Sequence, residues 1–330
     1  MSRRRSAAPG IRDVATAAGV SITTVSDSLS GKGRISEATR RRVREIADSL
    51  GYRPSPLAQG LRAGRSRLLG LVVTKYGPTR WTFTRYPYFS TVVDAAVDAA
   101  LDRGYALVVL PAGGSPETLL AYPFDGLFVV DPLRHDTVIT EARRRGVHVI
   151  ADRANATSPE HLWVDFDHDR AVTLMCDHLG TRNGHAPALL AADGDDSYTH
   201  ACIEAYRRWC AGAGALPREV RVGRTEEDAA EQVTALLRAP DRPGAVFGLE
   251  DLHLQVLRSA VRRCRLRVPT DVALGCFTEE TATDEGSGPV ARLTGNPAAL
   301  AGNAVALLVD RIENRDPRPE LRTVDCALRV

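Results

Sequence analysis

Apolar residues recur at intervals of three and four along residues 11–50, IRDVATAAGVSITTVSDSLSGKGRISEATRRRVREIADSL, and the recurrence breaks twice, which predicts three short helices. Ile11 to Ala18 reads as the first. Gly19-Val20-Ser21 then makes the turn: Gly19 supplies the backbone freedom that a tight inter-helix turn needs, and Ser21 can cap the next helix by accepting from its first free amides. In that second helix Val25 and Leu29, four apart, would pack against Val14, Ala15 and Ala18, leaving Ile22, Thr23, Ser26 and Asp27 outside. A third helix is expected from Ser36, with Val43, Ile46, Ala47 and Leu50 as its inward stripe and Arg40, Arg41, Arg42 and Arg44 placed to meet phosphates.

From Leu68 the pattern changes to short continuous apolar runs: LLGLVV (68–73), YALVVL (105–110), GLFVV (126–130), VHVIAD (147–152), HLWVD (161–165), PALLAA (187–192), GAVFGL (244–249) and VALGCF (272–277). Between most of them lie helical stretches at 90–103, 136–145, 168–180, 199–214, 226–239 and 251–264. Continuous apolar strands alternating with helices predict parallel sheets covered on both faces. Residues 1–10 read as a basic, disordered tail, 11–53 as the helical head, and 54–67 as a connector. Ser55 and Pro56 form a cap and first-position pair, so Pro56 to about Leu61 is expected to be a short helix, in which Gly60 costs about 1 kcal/mol relative to alanine. So short a helix is marginal alone, which suits an element that folds only when docked on a partner.

Three amphipathic helices at the start of a globular domain would show the same spacing, and charge shifts the balance. Residues 1–67 carry 14 Lys+Arg against 5 Asp+Glu, and residues 68–330 carry 29 against 36, so the formal net charge of +2 hides a basic head on an acidic body. Such segregation costs self-repulsion and is the footprint of a polyanion-binding module. With 330 residues and 44% hydrophobic content, the chain can hold this head plus a core of roughly 260 residues, a size that usually means two lobes. No run approaches a membrane span of roughly 20 apolar residues, and MSRRRSAAPGIRD lacks the apolar stretch of a signal peptide, so a cytoplasmic, nucleoid-associated protein with no membrane contact is expected. The six cysteines show neither a C-x-x-C pair nor metal-ligand spacing with histidine, which predicts reduced thiols and no metal. AGAGA at 211–215 follows a helix rather than a strand, and neither a GxxxxGK[ST] nor a G-x-S-x-G motif occurs. No cofactor and no catalytic residue is therefore expected.

The run DVATAAGVSITTVSDSLSGKGRISEATRRRV, followed by LGYRPSPLAQGLRAGRSRLLGLVV, resembles the amino-terminal region and linker of the lac-repressor (LacI/GalR) family of bacterial transcription regulators. The likeness is dense over 11–73 and continues to the end through GH at 184–185, AYRRW at 205–209, VFGLED at 246–251 and RVPTDVALGCF at 267–277. It implies an α/β core of two doubly wound parallel-sheet lobes of periplasmic-binding-protein type I, with a small all-α helix-turn-helix head. The first lobe would be about 68–163 plus 292–319, and the second 164–291 plus 320–330. It also implies contacts to double-stranded DNA through Ser21, Ile22, Thr23, Thr24, Ser26, Asp27, Arg34, Thr39, Tyr52, Leu61 and Arg62, with Leu61 wedged into the minor groove of a pseudo-palindromic operator. Two heads are needed to read two half-sites, so a homodimer is expected, paired through the helix bearing Val92, Val93, Ala96, Val97, Ala100 and Leu101, unless that stripe only faces its own sheet.

For the cleft between lobes the resemblance implies a small-molecule effector, with a carbohydrate the expectation, held by Tyr88, Phe89, Asp152, Cys202, Glu250 and Thr278. Cys202 stands where the family has its pocket arginine and Thr278 where it has an aspartate, so the clamping guanidinium is expected to be absent. Asp27 stands where arginine is usual. An acceptor-only carboxylate there would favour cytosine, or secondarily adenine, unless it pairs with Arg34 instead. The sequence thus points to a DNA-binding regulator, repressing by default. A solute-binding protein would need an export signal, an enzyme would need a catalytic constellation, and an effector-independent regulator remains the alternative.

Overall fold

The computed structural model describes residues 9–31, 33–53, 65–74, 86–112, 115–153, 162–180, 185–223, 225–280, 288–316 and 318–330. The connector helix expected over 56–61, with Leu61 and Arg62, lies outside them. Two compact units divide the chain, Met1–Arg67 and Leu68–Val330.

In the first unit, α1 spans Ile11–Ala18, α2 Ile22–Ser30 and α3 Glu37–Ser49. Gly19 ends α1 at φ 62°, its N–H turned back to the Ala15 and Thr16 carbonyls, a left-handed conformation that a side chain would strain. Ser21 caps α2 by accepting from the Thr24 N–H at 3.0 Å, and Ser36 caps α3 through the Thr39 N–H at 3.2 Å. Val14, Ala15, Ala18, Val25, Val43 and Ala47 are buried together. Leu29, Ile46 and Tyr52 pack at the edge of this small core. One expectation fails in detail. Leu50 stays 36% exposed because α3 has ended before it, and Ser28, beside Leu29, is the fully buried member of that turn.

The second unit holds two sheets. The first runs β2-β1-β3-β4-β5, all parallel, from β1 Leu68–Thr74, β2 Ala106–Ala112, β3 Gly126–Val130, β4 His148–Ala151 and β5 Leu162–Trp163. Alternate residues of β1 face opposite ways, as the period of two requires: Leu69, Leu71 and Val73 enter the core shared with α4 (Pro87–Asp102) and α11 (Pro297–Ile312). Val72 faces α5 (Pro116–Leu119) and α6 (Thr137–Arg144). Gly126 lets α11 lie close, since a Cβ there would sit 2.9 Å from Leu308 and Ile312.

The second sheet runs β13-β11-β10-β9-β7-β8, from β7 Ala188–Ala192, β8 Glu219–Val222, β9 Ala245–Gly248, β10 Ala273–Phe277, β11 Val290–Thr294 and β13 Ala327–Arg329. It is parallel except at the edge, where β13 runs against β11. Helices α7 (His168–Leu179) and α8 (Ser197–Ala213) cover one face, and α9 (Glu226–Arg238) and α10 (Asp251–Cys264) the other. The short β6 (Asp165–Phe166) pairs in parallel with β12 (Thr323–Val324) between the lobes' strands.

Because β11 pairs with β10, residues 290–294 belong to the second lobe, and the return crossing falls after Thr294 rather than before Arg292. The apolar stripe of α4 divides. Val92, Ala96 and Ala100 are buried against their own lobe, Val93 and Val97 are half-buried, and Leu101 is 61% exposed. Among the described residues no helix is long and apolar enough to cross a membrane. No group of three His, Cys, Asp or Glu among them is arranged to hold a metal.

Candidate functional site

Two regions gather the chemistry. On the head, the outer face of α2 presents exposed Ile22 and Thr23, half-buried Ser26 and Asp27, and the capping hydroxyls of Ser21 and Thr24, 2.9 Å apart. Thr39 is spent similarly at the start of α3, with its hydroxyl 2.8 Å from that of Ser36. The Asp27 carboxylate lies over Gly33, where a Cβ would come within 2.9 Å of Oδ2. Asp27 and Arg34 make no ion pair with each other, and Arg34 is exposed.

The row of α3 arginines is not uniform. Arg40 donates from Nε to the Ile35 carbonyl at 3.3 Å and from Nη2 to the Gly33 carbonyl at 2.9 Å, bracing the turn between α2 and α3. Arg42 donates to the Ala18 carbonyl at the C-terminal end of α1, where orphan carbonyls and the helix dipole favour a cation. Arg41, Arg42 and Arg44 are all exposed, and Arg40 is half-buried. Of the four arginines expected to meet phosphates, Arg40 and Arg42 thus spend donors inside the head. Tyr52 donates its N–H to the Ala47 carbonyl at 2.8 Å and packs its ring on the head core.

The second region is a cavity of about 140 Å³ where the two lobes meet. The first lobe supplies Tyr86, Tyr88 and Phe89 from the start of α4, Asp131 after β3, and Arg153 after β4. The second supplies Phe166, Tyr198 and Phe277 as aromatic walls. Glu250, Asp251, Thr278 and Glu279 follow the carboxyl ends of β9 and β10, the usual place for a ligand in an open parallel sheet. The lobes touch across this cleft: the Tyr88 N–H donates to Asp251 at 3.3 Å, the Arg134 N–H to the Asp195 carbonyl at 3.0 Å, and the Ser197 N–H to the Pro132 carbonyl at 3.1 Å.

Four of the six expected pocket residues, Tyr88, Phe89, Glu250 and Thr278, line the cavity. Asp152 does not. It is fully buried one layer behind, accepting the Tyr88 hydroxyl at 2.9 Å and the Asp131 N–H at 2.6 Å. Cys202 is also fully buried behind the wall, its Sγ 3.5 Å from His168 Nδ1. Tyr198, one turn earlier on the same face of α8, takes the position at the cavity.

A guanidinium does line the cavity, that of Arg153 rather than one from position 202. Only 4% exposed, Arg153 lies 3.4 Å from Asp152 and 3.9 Å from Asp165, and donates to the Tyr88 hydroxyl at 2.9 Å. Its guanidinium also sits over the rings of Tyr198, Phe166 and Tyr88 at 5.0, 5.5 and 5.4 Å. Its Nε has no hydrogen-bond partner among the described residues. A buried donor left in this way invites an acceptor from a ligand.

Behind it the charges alternate: Asp152, Arg153, Asp165, then His168, whose Nε2 is 3.1 Å from Asp165. Burial pulls His168 down, but the Asp165 carboxylate outweighs it and raises the imidazole to about 10. Burial likewise opposes the charge on Arg153, and Asp152 beside it holds the guanidinium well above its ordinary value. Asp152 is itself raised by burial, with Arg153 pulling it back. Burial also raises Asp251 and Glu279, against the hydrogen bonds of Thr278 and Thr294 respectively.

Residues 10–55 match the family described as bacterial regulatory proteins, lacI family, and residues 176–330 match the periplasmic binding protein-like domain. The HTH-type transcriptional repressor PurR of Photobacterium profundum is 24% identical over 318 residues, covering 93% of this chain and 92% of that one. The lac repressor dimer bound to operator and the anti-inducer ONPF superposes with a TM-score of 0.79 at 21% identity, over 97% of each chain. A transcriptional regulator CelR–cellobiose complex gives 0.69 at 24% identity, over 98% of each. These structural likenesses show the fold.

Proposed function

Since this chain belongs to the lacI family of bacterial regulatory proteins, we propose that it is a homodimeric, sequence-specific repressor whose operator affinity is set by a small polar effector held between the two core lobes. The observation that carries the reading is the inter-lobe cavity with Arg153 Nε buried and unpartnered in its wall. A ligand that meets donors and acceptors from both lobes stabilises the closed arrangement over the open one, and that differential affinity is what couples an effector to DNA. The core's first strand begins at Leu68, directly after the connector, so a change between lobes is carried by the chain toward the head. A neighbour of the same fold is a cellobiose complex, which favours a carbohydrate here too.

On the DNA side, α2 lies in the major groove with Ile22, Thr23, Ser26 and Asp27 toward base edges, and Arg41 and Arg44 on phosphates. Leu61, in the connector, wedges the minor groove at the operator centre. Dimerisation uses the outer face of α4, where Val97 is half-buried and Leu101 exposed; a neighbour of the same fold is described as a lac repressor dimer.

The test is linkage. A small-molecule panel is screened by thermal shift on the full chain, and each stabilising ligand is titrated into chain bound to fluorescent operator. Operator affinity should change by about 5- to 150-fold. A ligand that stabilises the core and leaves operator affinity unchanged contradicts effector control.

A further inference from the structure

Two of the cavity's carboxylates, Asp251 and Glu279, are served only by neutral donors among the described residues. Asp251 accepts from the Tyr88 N–H at 3.3 Å, the Thr278 hydroxyl at 2.5 Å and the Glu279 N–H at 3.3 Å. Glu279 accepts from the Thr294 hydroxyl at 2.5 Å and from the backbone of Gly295. Of the neighbouring cations, Arg258 holds Glu280 at 3.0 Å, Arg153 faces Asp152 and Asp165 behind the wall, and the exposed Arg329 of β13 acts on Glu279 without outweighing the burial that raises it. Asp131 and Glu250 add two more carboxylates to the lining. Among the described residues, four acidic side chains thus line a cavity whose one lining guanidinium is already matched from behind.

Like charges crowded into a partly desolvated site raise each other's free energy, and a positive charge placed between them relieves both at once. An anionic ligand such as a sugar phosphate would add to the repulsion. A neutral polyol would supply donors but no charge. Arg153 Nε asks the opposite of a ligand, an acceptor, and the rings of Tyr88, Phe166 and Tyr198 offer faces that tolerate a cation.

Resting on the reading of this cavity as the effector site, we propose that the effector is a hydroxylated amine of the amino-sugar class, its ammonium held against Asp251 and Glu279 and a hydroxyl oxygen accepting from Arg153 Nε. The charge class follows from the carboxylates, and the hydroxylated body from the single lone donor among aromatic walls.

The experiment is calorimetric titration of the full chain with matched pairs, glucosamine against glucose, galactosamine against galactose and mannosamine against mannose. N-acetylglucosamine serves as a neutral amide and glucuronate as an anion. In at least one pair the amine should bind about ten-fold tighter than its neutral partner, a typical strength for a partly buried charge pair. Glu279→Gln should bring that ratio toward one. A neutral sugar or glucuronate binding tighter than every amine, or a ratio unmoved by Glu279→Gln, overturns the proposal while leaving the effector site standing. Absence of binding by every member of the panel counts against both this proposal and a sugar effector.

Discussion

Replacing Arg153 by methionine keeps most of the side chain's volume and removes its charge from the boundary between the lobes. The guanidinium is 4% exposed and Asp152 is fully buried 3.4 Å away, so solvent cannot take over its role. Asp165 keeps His168 at 3.1 Å, which leaves Asp152 as the carboxylate without a cation. Removing one member of a buried ion pair costs about 3–5 kcal/mol, because the remaining charge stays desolvated. Asp152 can escape by taking a proton. Its folded-state value, already raised by burial, rises further in the variant, so the native state binds a proton that the unfolded state lacks, and stability falls as pH rises through that interval. Urea unfolding of Arg153→Met should therefore show the full loss at pH 8 and a smaller one at pH 5, by about 1.4 kcal/mol for each unit that Asp152 is displaced past the pH. The double variant Asp152→Asn/Arg153→Met should recover at least half. A loss of the same size at both pH values, or no recovery in the double variant, would refute the argument that Asp152 is what Arg153 holds.

Three further outcomes follow from the same geometry. His168 is raised from 6.5 to about 10, so its contribution is complete below 6.5 and disappears as pH rises through 10; the stability advantage of wild type over Asp165→Asn/His168→Gln should shrink across that window, and a flat difference in denaturation midpoints would count against the ion pair. Arg41→Ala and Arg44→Ala should each lower the slope of log K against log salt by about 0.9 with little effect on the head's melting, whereas Arg42→Ala, which frees the Ala18 carbonyl, should lower head stability by about 1–2 kcal/mol in calorimetry; the reverse assignment would return Arg42 to the DNA face. Asp27→Asn should move the preferred base toward adenine and Asp27→Arg toward guanine, each by about 1–3 kcal/mol, with identical selected motifs from all three proteins showing that position 27 reads no base.

The head is almost fully legible in the sequence because three features act within a few residues of one another: helical spacing, the Ser21 and Ser36 caps, and the left-handed Gly19. The core's buried central strands, such as GLFVV and ALLAA, announce themselves by unbroken apolarity. β8 escapes that signal because EVRV lies at the sheet edge and buries only Val222 fully. Helix α11 escapes for the opposite reason. Wedged between the first sheet and α4, PAALAGNAVALLVDRI is apolar around most of its girth and shows little amphipathic period.

In the cavity, sequence position alone places residues at strand ends, and that works for Glu250 and Thr278. Arg153 escapes it because β4 ends at Ala151, where the in-out alternation that would separate Asp152 from its neighbour no longer operates. Phe166, Tyr198 and Phe277 come from three distant segments and meet only once the lobes are folded, with Tyr198 and Phe277 5.9 Å apart and Phe166 5.6 Å from Phe277.

Selection of binding sites from a random duplex library by the full chain tests the central claim most directly. The account predicts a pseudo-palindrome of two half-sites, with cytosine or adenine at the position met by Asp27, bound as a dimer. Enrichment of a single asymmetric half-site bound by a monomer, or no enrichment above nonspecific binding, would contradict it.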